Sequence, residues 1–199
     1  MKQAKVLTTE EINSAISDVM NYSGKWAKRN RMLLLLSHHT GMRVVEMSAL
    51  RLSDVLDIHG RVLSEINLAA HQTKGSQGRR VILPNRTQTE ISKYLQHQWN
   101  TKSLQGLVYQ AGNQPLFYSQ KLNAFTPNQL SQVFSRIYRD AGIVGATSHS
   151  GRRSWITALC SKGANVRAIQ MLAGHRSLST TQKYVELGDH VLKAVAELI

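Results

Sequence analysis

The sequence predicts a mainly α-helical domain with a small antiparallel β-hairpin inserted early, an α+β class. Three observations carry that reading. Helix-start signals followed by apolar residues at helical spacing recur along most of the chain. One stretch, Arg61 to Leu83, changes to short strand-like runs around a polar, basic, glycine-containing tip. No repeat with a period of about 20 to 50 residues recurs, and no linker divides the 199 residues, so one core is expected.

In chain order, Thr8-Thr9-Glu10-Glu11 has capping-box spacing and opens a helix with Ile12, Ile16 and Val19 on one face. Gly24 breaks it. A second helix is expected from about Lys25 to Ser37, basic at its start and then apolar through Leu33 to Leu36, as a central core helix would be. Positive charge at a helix start opposes the dipole. Lys25, Lys28 and Arg29 therefore suggest an external reason, DNA phosphate being one and a solvated face the other. Thr40-Gly41 closes that helix, and Arg43 to Leu50 forms a short one.

Lys74-Gly75-Ser76-Gln77-Gly78-Arg79-Arg80 reads as the hairpin tip, Val81-Ile82-Leu83 as the return strand and Pro84 as its stop. A helix follows from about Gln88 to Trp99, then irregular chain from Gly106 to Asn123. Thr126-Pro127 starts another helix with proline in its first turn. Helices near Gly151 to Ser161 and Val166 to Leu172 lead into the Gly174 segment. Asp189 caps a last amphipathic helix, 189–199, carrying Val191, Leu192, Val195 and Leu198.

Composition narrows the function. Hydrophobic residues make up 42% and charged residues 19%, ordinary for a globular chain. Twenty-five Lys and Arg against twelve Asp and Glu leave a formal charge of +13. Such an excess suits a polyanion, because each neutralised phosphate releases counterions; charge alone also fits non-specific binding to RNA or an anionic membrane. Cys160 is the only cysteine, so an internal disulfide and a thiolate metal cluster are excluded. It reads as a buried helix thiol. Met1 to Lys5 lacks the apolar stretch of a signal peptide, and Leu33 to Leu36 is far too short to span a bilayer. A soluble, cytoplasmic protein is expected.

The chemistry gathers near the end. His149-Ser150-Gly151-Arg152, Gly174-His175 and Tyr184 fall within 36 positions. Displacement at phosphorus asks a protein mainly to position the reactants and neutralise the non-bridging oxygens. Arginine suits that task, since its planar fork donates two parallel hydrogen bonds and stays charged. Arg43 and Arg152 are the candidates; for Arg43 alone the plain alternative is a surface salt bridge to Glu46 or Asp54. A tyrosine hydroxyl must lose its proton to attack. His149 is the candidate acid/base, and His175 a donor to a phosphate oxygen. Tyr94, Tyr118 and Tyr138 read as packing residues with hydrogen-bonded hydroxyls. No metal is implied: the acidic residues do not cluster and His38 and His39 face different sides of a helix. No phosphate-cradling Gly-x-x-x-x-Gly-Lys-Ser/Thr run occurs, so ATP and other cofactors are not expected.

Thr40-Gly41-Met42-Arg43-Val44-Val45-Glu46-Met47-Ser48-Ala49-Leu50, together with Gly174 through Tyr184, resembles the catalytic domain of the tyrosine recombinases, the phage-integrase family. The resemblance runs from about Leu7 to Val185. It implies the family's catalytic-domain fold and a site-specific recombinase that cleaves and rejoins DNA through a 3′-phosphotyrosine link. It implies Tyr184 as nucleophile, Arg43 and Arg152 as the phosphate clamp, Lys74 as the acid for the leaving 5′-oxygen, and Glu46 as the residue that orients Arg43 and Lys74. It favours Arg152 over Arg153 as the clamp, leaving Arg153, with Arg79 and Arg80 of the hairpin, to the DNA backbone; a structural pair is the alternative for Arg153. The implied partners are double-stranded recombination sites, a tetramer assembled on them, and an accessory DNA-bending protein.

The pattern departs from the family in three places. The chain reads as a single catalytic domain over 1–199 with no N-terminal DNA-clamping (core-binding) domain ahead of it, a fragment or a naturally short member. Gly151 stands where many members carry leucine, from which looser local packing is expected. The 189–199 helix suggests a tail that docks on a neighbouring protomer or packs on its own core. Two rival functions share the fold: a DNA-binding regulator without recombination, and a topoisomerase-like enzyme that nicks and reseals one strand.

Overall fold

A central helix organises the molecule. The computed structural model describes residues 3–73 and 77–184. The central helix, α2 (Ala27–Thr40), buries Met32, Leu33, Leu34, Leu35 and Leu36 together. A stretch apolar on every side must be surrounded, and α1 (Thr9–Tyr22), α4 (Asn85–Gln98), α6 (Pro127–Asp140) and α7 (Ser150–Ser161) pack against this helix. Each fully buried leucine contributes roughly 1.5–3 kcal/mol, so this run anchors the core. Leu33, Leu34 and Leu36 are fully buried.

The predicted starts hold where a side chain closes them. Thr8 Oγ1 accepts from Glu11 N and Glu11 returns the bond to Thr8 N, the expected box. Thr126 and Gln129 repeat it at α6, with Pro127 in the first turn. Boundaries shift elsewhere. Gly24–Trp26 forms a separate 3-10 turn, so α2 begins at Ala27 and runs on to Thr40. α4 begins at Asn85, directly after Pro84, whose fixed φ suits a helix N-cap. The stretch expected to be irregular contains a short helix, α5 (Leu107–Ala111), which buries Leu107 and Ala111.

The hairpin pairs β1 (Glu65–Leu68) with β2 (Arg79–Ile82), antiparallel, Ile66 opposite Val81 and Leu68 opposite Arg79. The return strand thus starts two residues earlier than Val81. Successive strand residues face opposite sides; Val81 faces the core, and Arg79 shares its side. Short α3 (Val44–Ala49) precedes the hairpin, while α8 (Val166–Ala173) and α9 (Leu178–Gln182) follow α7. The α9 turn is not among the predicted elements. The 189–199 helix lies outside the described residues. Among the described residues no helix is long and apolar enough to cross a membrane.

Local expectations are met by Tyr94, Tyr118 and Tyr138, whose hydroxyls bond Leu116 O, Gln114 Oε1 and His38 Nε2 at 3.1, 3.2 and 3.1 Å. His38 and His39 diverge, His39 Nδ1 lying 2.9 Å from Thr87 Oγ1. Cys160 is half-buried rather than buried, and burial raises its thiol pKa. Gly151 corrects the expectation of loose packing. A Cβ there would come within 2.1 Å of Ser37 Oγ, so α7 and α2 touch at this point and a leucine would not fit.

Candidate active site

Two helix ends and one strand build the site. α2 stops at Gly41, whose φ of 62° is left-handed. A Cβ there would lie 2.4 Å from the Trp155 ring, so backbone and neighbour both demand glycine. The turn presents the Gly41 carbonyl and delivers Arg43 to the start of α3. The second end is the C-terminus of α8, closed by Gly174, also left-handed at φ 63°. The last carbonyls of a helix lack intrahelical partners and carry the negative end of its dipole. Guanidinium groups take three successive ones: Arg79 bonds Leu172 O, Arg152 bonds Ala173 O at 2.6 Å, and Arg43 bonds Gly174 O at 3.3 Å. Arg152 also bonds Gly41 O at 2.7 Å, so one side chain ties the two helix ends together.

Glu46 holds two of the three, Arg43 and Arg79. Its fully buried carboxylate accepts from Arg43 N at 2.7 Å, Arg43 Nη1 at 3.0 Å, and Arg79 Nε and Nη2, each at 2.8 Å. Burial raises its pKa, but the hydrogen bonds and charges of Arg79, and then of Arg43, outweigh that and hold it below the usual carboxylate range. A carboxyl lowered in the folded state stabilises above its unfolded pKa, and that contribution fades as pH falls through the folded value. Removing one partner of a buried pair costs about 3–5 kcal/mol. Glu46→Gln is therefore expected to lower Tm strongly at pH 7, with the gap to wild type closing as the pH approaches the acid range. Thermal melts across pH check this; a constant gap would contradict it.

Three guanidiniums against one carboxylate leave the cluster two positive charges in excess. Arg152 shows the strain of this. Burial, followed by the charges of Arg43 and Arg79, pushes its pKa down to about 9, with Glu46 and Tyr184 acting in the opposite sense. Desolvated like charges held together are costly unless an anion joins them. An arrangement of this kind suits a phosphate.

His175 and Tyr184 lie over the same region. Their rings stack with centroids 6.3 Å apart and planes 16° from parallel. Burial, then Arg152, Arg43 and Arg79, pushes His175 down to about 4, so the ring is neutral at neutral pH. Gln170 Nε2 bonds the His175 carbonyl at 3.0 Å. Tyr184 rests against the small cluster of Ile156, Ile169 and Ala173. His149, at the N-cap of α7, lines a cavity of about 300 Å³ with Arg152, Arg153, Tyr184 and the chain at Gln3 and Ala4. Arg43, Arg79, Gly174 and His175 line a separate one of about 130 Å³ with Gly78 and Arg176.

Thus Arg43, Glu46, His149, Arg152, His175 and Tyr184 come together from positions far apart in sequence. Lys74 lies outside the described residues. The candidate DNA contacts divide. Lys25 sits over the Trp26 ring at 5.1 Å, and Lys28 Nζ lies 3.1 Å from His97 Nδ1; both are exposed. Arg80 is exposed, with Glu65 at 3.5 Å, a pair worth little. Arg153, half-buried, bonds Ala4 O at 2.7 Å with its guanidinium 6.0 Å from the Tyr184 ring centre.

Two expectations are corrected. Arg29 is buried, bonded to Tyr118 O and Asn30 Oδ1 and sandwiched between Trp26 and Phe125, so it does not present itself to DNA. Its spacing from Met32, Leu33 and Leu36 places it on the apolar face, a signal present in the sequence. Arg79 is not a hairpin-tip contact but a buried brace on Glu46, as its two-residue spacing from Val81 implies. The site residues not anticipated are Gly41 and Thr181. Gly41 matters for its carbonyl, and Thr181 for a buried hydroxyl 2.8 Å from His175 Nδ1.

Residues 5–190 match the family described as the phage integrase family. The chain belongs to that family, and its fold is that of the catalytic domains of tyrosine recombinases. Tyrosine recombinase XerA of Pyrococcus furiosus is 31% identical over 193 residues, which is 97% of this chain and 61% of that protein. Tyrosine recombinase XerC of Rickettsia prowazekii is 30% identical over 195 residues, 96% of this chain and 58% of that protein. Among solved structures, XerH recombinase bound to palindromic difH substrate in a post-cleavage complex superposes with a TM-score of 0.70 at 25% identity, covering 98% of this chain and 53% of that one. The chain spans about three fifths of the length of these XerA and XerC relatives.

Proposed function

We propose that this chain is the catalytic part of a site-specific DNA recombinase. Tyr184 attacks a backbone phosphorus, its oxygen forms the bond to the 3′-phosphate, and the 5′-oxygen of the next nucleotide leaves with a proton. A 5′-hydroxyl from a partner strand then reverses the step. Arg43 and Arg152 receive the non-bridging oxygens, held ready by Glu46 and the α8 carbonyls. His175 donates to a phosphate oxygen as charge grows, and His149 beside Tyr184 takes up the phenol proton. Lys74, which falls between β1 and β2 in the sequence, supplies the leaving-group proton. Lys25, Lys28 and Arg80 contact the DNA backbone.

The observation that carries this reading is the gathering of Arg43, Arg79 and Arg152 on three successive carbonyls beside the stacked His175 and Tyr184. A cluster with excess positive charge and a tyrosine at its rim matches what attack on a phosphodiester needs. By the same reading the working assembly is a tetramer on paired double-stranded sites, with an accessory protein bending the DNA, and the 189–199 segment as a contact between protomers. In that assembly residues 1–199 act as one catalytic domain.

The test uses a duplex nicked near the target phosphate, so that the released fragment diffuses away. Incubation with the protein in a chelating buffer is expected to give a denaturation-resistant protein–DNA adduct whose linked peptide contains Tyr184. An adduct that appears only on adding Mg²⁺, or a link to another residue, would overturn the mechanism.

A further inference from the structure

The inference rests on the recombinase reading and concerns which way the proton on His175 points. Thr181, in α9, is fully buried, and its Oγ1 lies 2.8 Å from His175 Nδ1. The backbone of His175 is secured separately, through Gln170, whose Oε1 accepts from Arg167 at 2.7 Å. The Thr181 bond is therefore free to act on the ring itself.

A neutral imidazole carries one proton, and the nitrogen that bears it is set by the bond the other nitrogen makes. If Nδ1–H donated to Thr181, the buried hydroxyl hydrogen would need a further acceptor inside the protein, and Nε2 would turn a bare lone pair toward the cleft. If Thr181 donates, one bond satisfies both buried groups, which is the cheaper arrangement. We propose that Thr181 is a positioning residue whose hydroxyl donates to Nδ1 of His175, fixing the Nε2–H form that can donate to a phosphate oxygen.

The surroundings make this placement necessary. Arg152 from α7, Arg43 at the start of α3 and Arg79 from β2 act on the ring electrostatically, Tyr184 stacks on it, and Arg176 lines the same cavity. Those cations and burial oppose a second proton, so the ring does not become an imidazolium that donates from both nitrogens at neutral pH. Its single proton has to be on the right atom.

The test is nitrogen NMR of the histidine-labelled full chain without DNA, together with adduct formation on the nicked duplex. Wild type is expected to show His175 as a single Nε2–H tautomer at pH 7. Thr181→Val, of nearly the same shape, should show a mixture of tautomers and form adduct roughly ten- to a hundredfold more slowly, as for other lost partners that orient a histidine. DNA affinity should change by no more than about twofold, since no phosphate contact is lost. Thr181→Ser should restore the single tautomer and most of the rate. An Nδ1–H ring in wild type, or a Thr181→Val variant with the wild-type tautomer and rate, would refute the proposal. Should Thr181→Val not fold, the wild-type spectrum decides alone. A wild type that forms no adduct would sink the recombinase reading, while the spectrum would still decide the role of Thr181.

Discussion

Replacing Tyr184 with phenylalanine is expected to abolish the covalent adduct, a loss of at least about 10⁴-fold, as for other removed nucleophiles. The substitution deletes one oxygen and keeps the ring. The stack on His175 and the contact with Ile156, Ile169 and Ala173 belong to the ring and should survive. Thermal stability should therefore fall by no more than about 1 kcal/mol, and DNA binding should be unchanged. That combination separates lost chemistry from lost structure. Denaturing gels with the nicked duplex, run beside thermal melts and equilibrium binding, check it. An adduct that persists in the phenylalanine variant would transfer the nucleophile's role to another residue.

The second large effect belongs to Arg152. Arg152→Ala is expected to slow cleavage by about 10²–10³-fold, the usual cost of a lost transition-state donor, while weakening DNA binding far less. A single phosphate contact is a small part of affinity for DNA, which is spread over many backbone contacts. The structure adds a second arm. Arg152 spans Gly41 O and Ala173 O with two different guanidinium nitrogens, a reach that the compact ammonium of lysine lacks. Arg152→Lys should then be nearly as slow as Arg152→Ala, although the charge is kept. Single-turnover cleavage and binding titrations at fixed salt measure both. Equal losses in binding and cleavage, or full rescue by lysine, would make Arg152 a simple electrostatic contact.

Much of the architecture is legible locally. Thr8 and Thr126 announce their helices because a cap is a bond between residues three apart. The Leu33 to Leu36 block declares a buried helix because nothing polar interrupts it. The hairpin is legible in its register: Val81 inside implies Arg79 inside and Arg80 outside, which the structure shows. Arg29 is less obvious. A basic residue near a helix start suggests a ligand, yet its place on the apolar face and the two aromatic rings around it make it part of the core. Arginine can be buried in this way when carbonyl and amide oxygens receive its donors.

By itself the sequence determined which groups are available: two candidate clamp arginines, two histidines, a late tyrosine, a strongly basic balance and a helical frame with one hairpin. Those follow from residue type and from spacings of a few positions, where the chain's own geometry limits the outcome. Only the tertiary structure decided their mutual placement. Glu46 and Arg79 are 33 residues apart, and Arg43 and Gly174 are 131 apart. Their meeting depends on how α2, α3, β2 and α8 pack. The carbonyls left unpaired at the end of α8 draw three guanidiniums together. The physical reason is that unpaired carbonyls and buried charges must find partners, and in a folded chain those partners are chosen by distance in space rather than along the backbone.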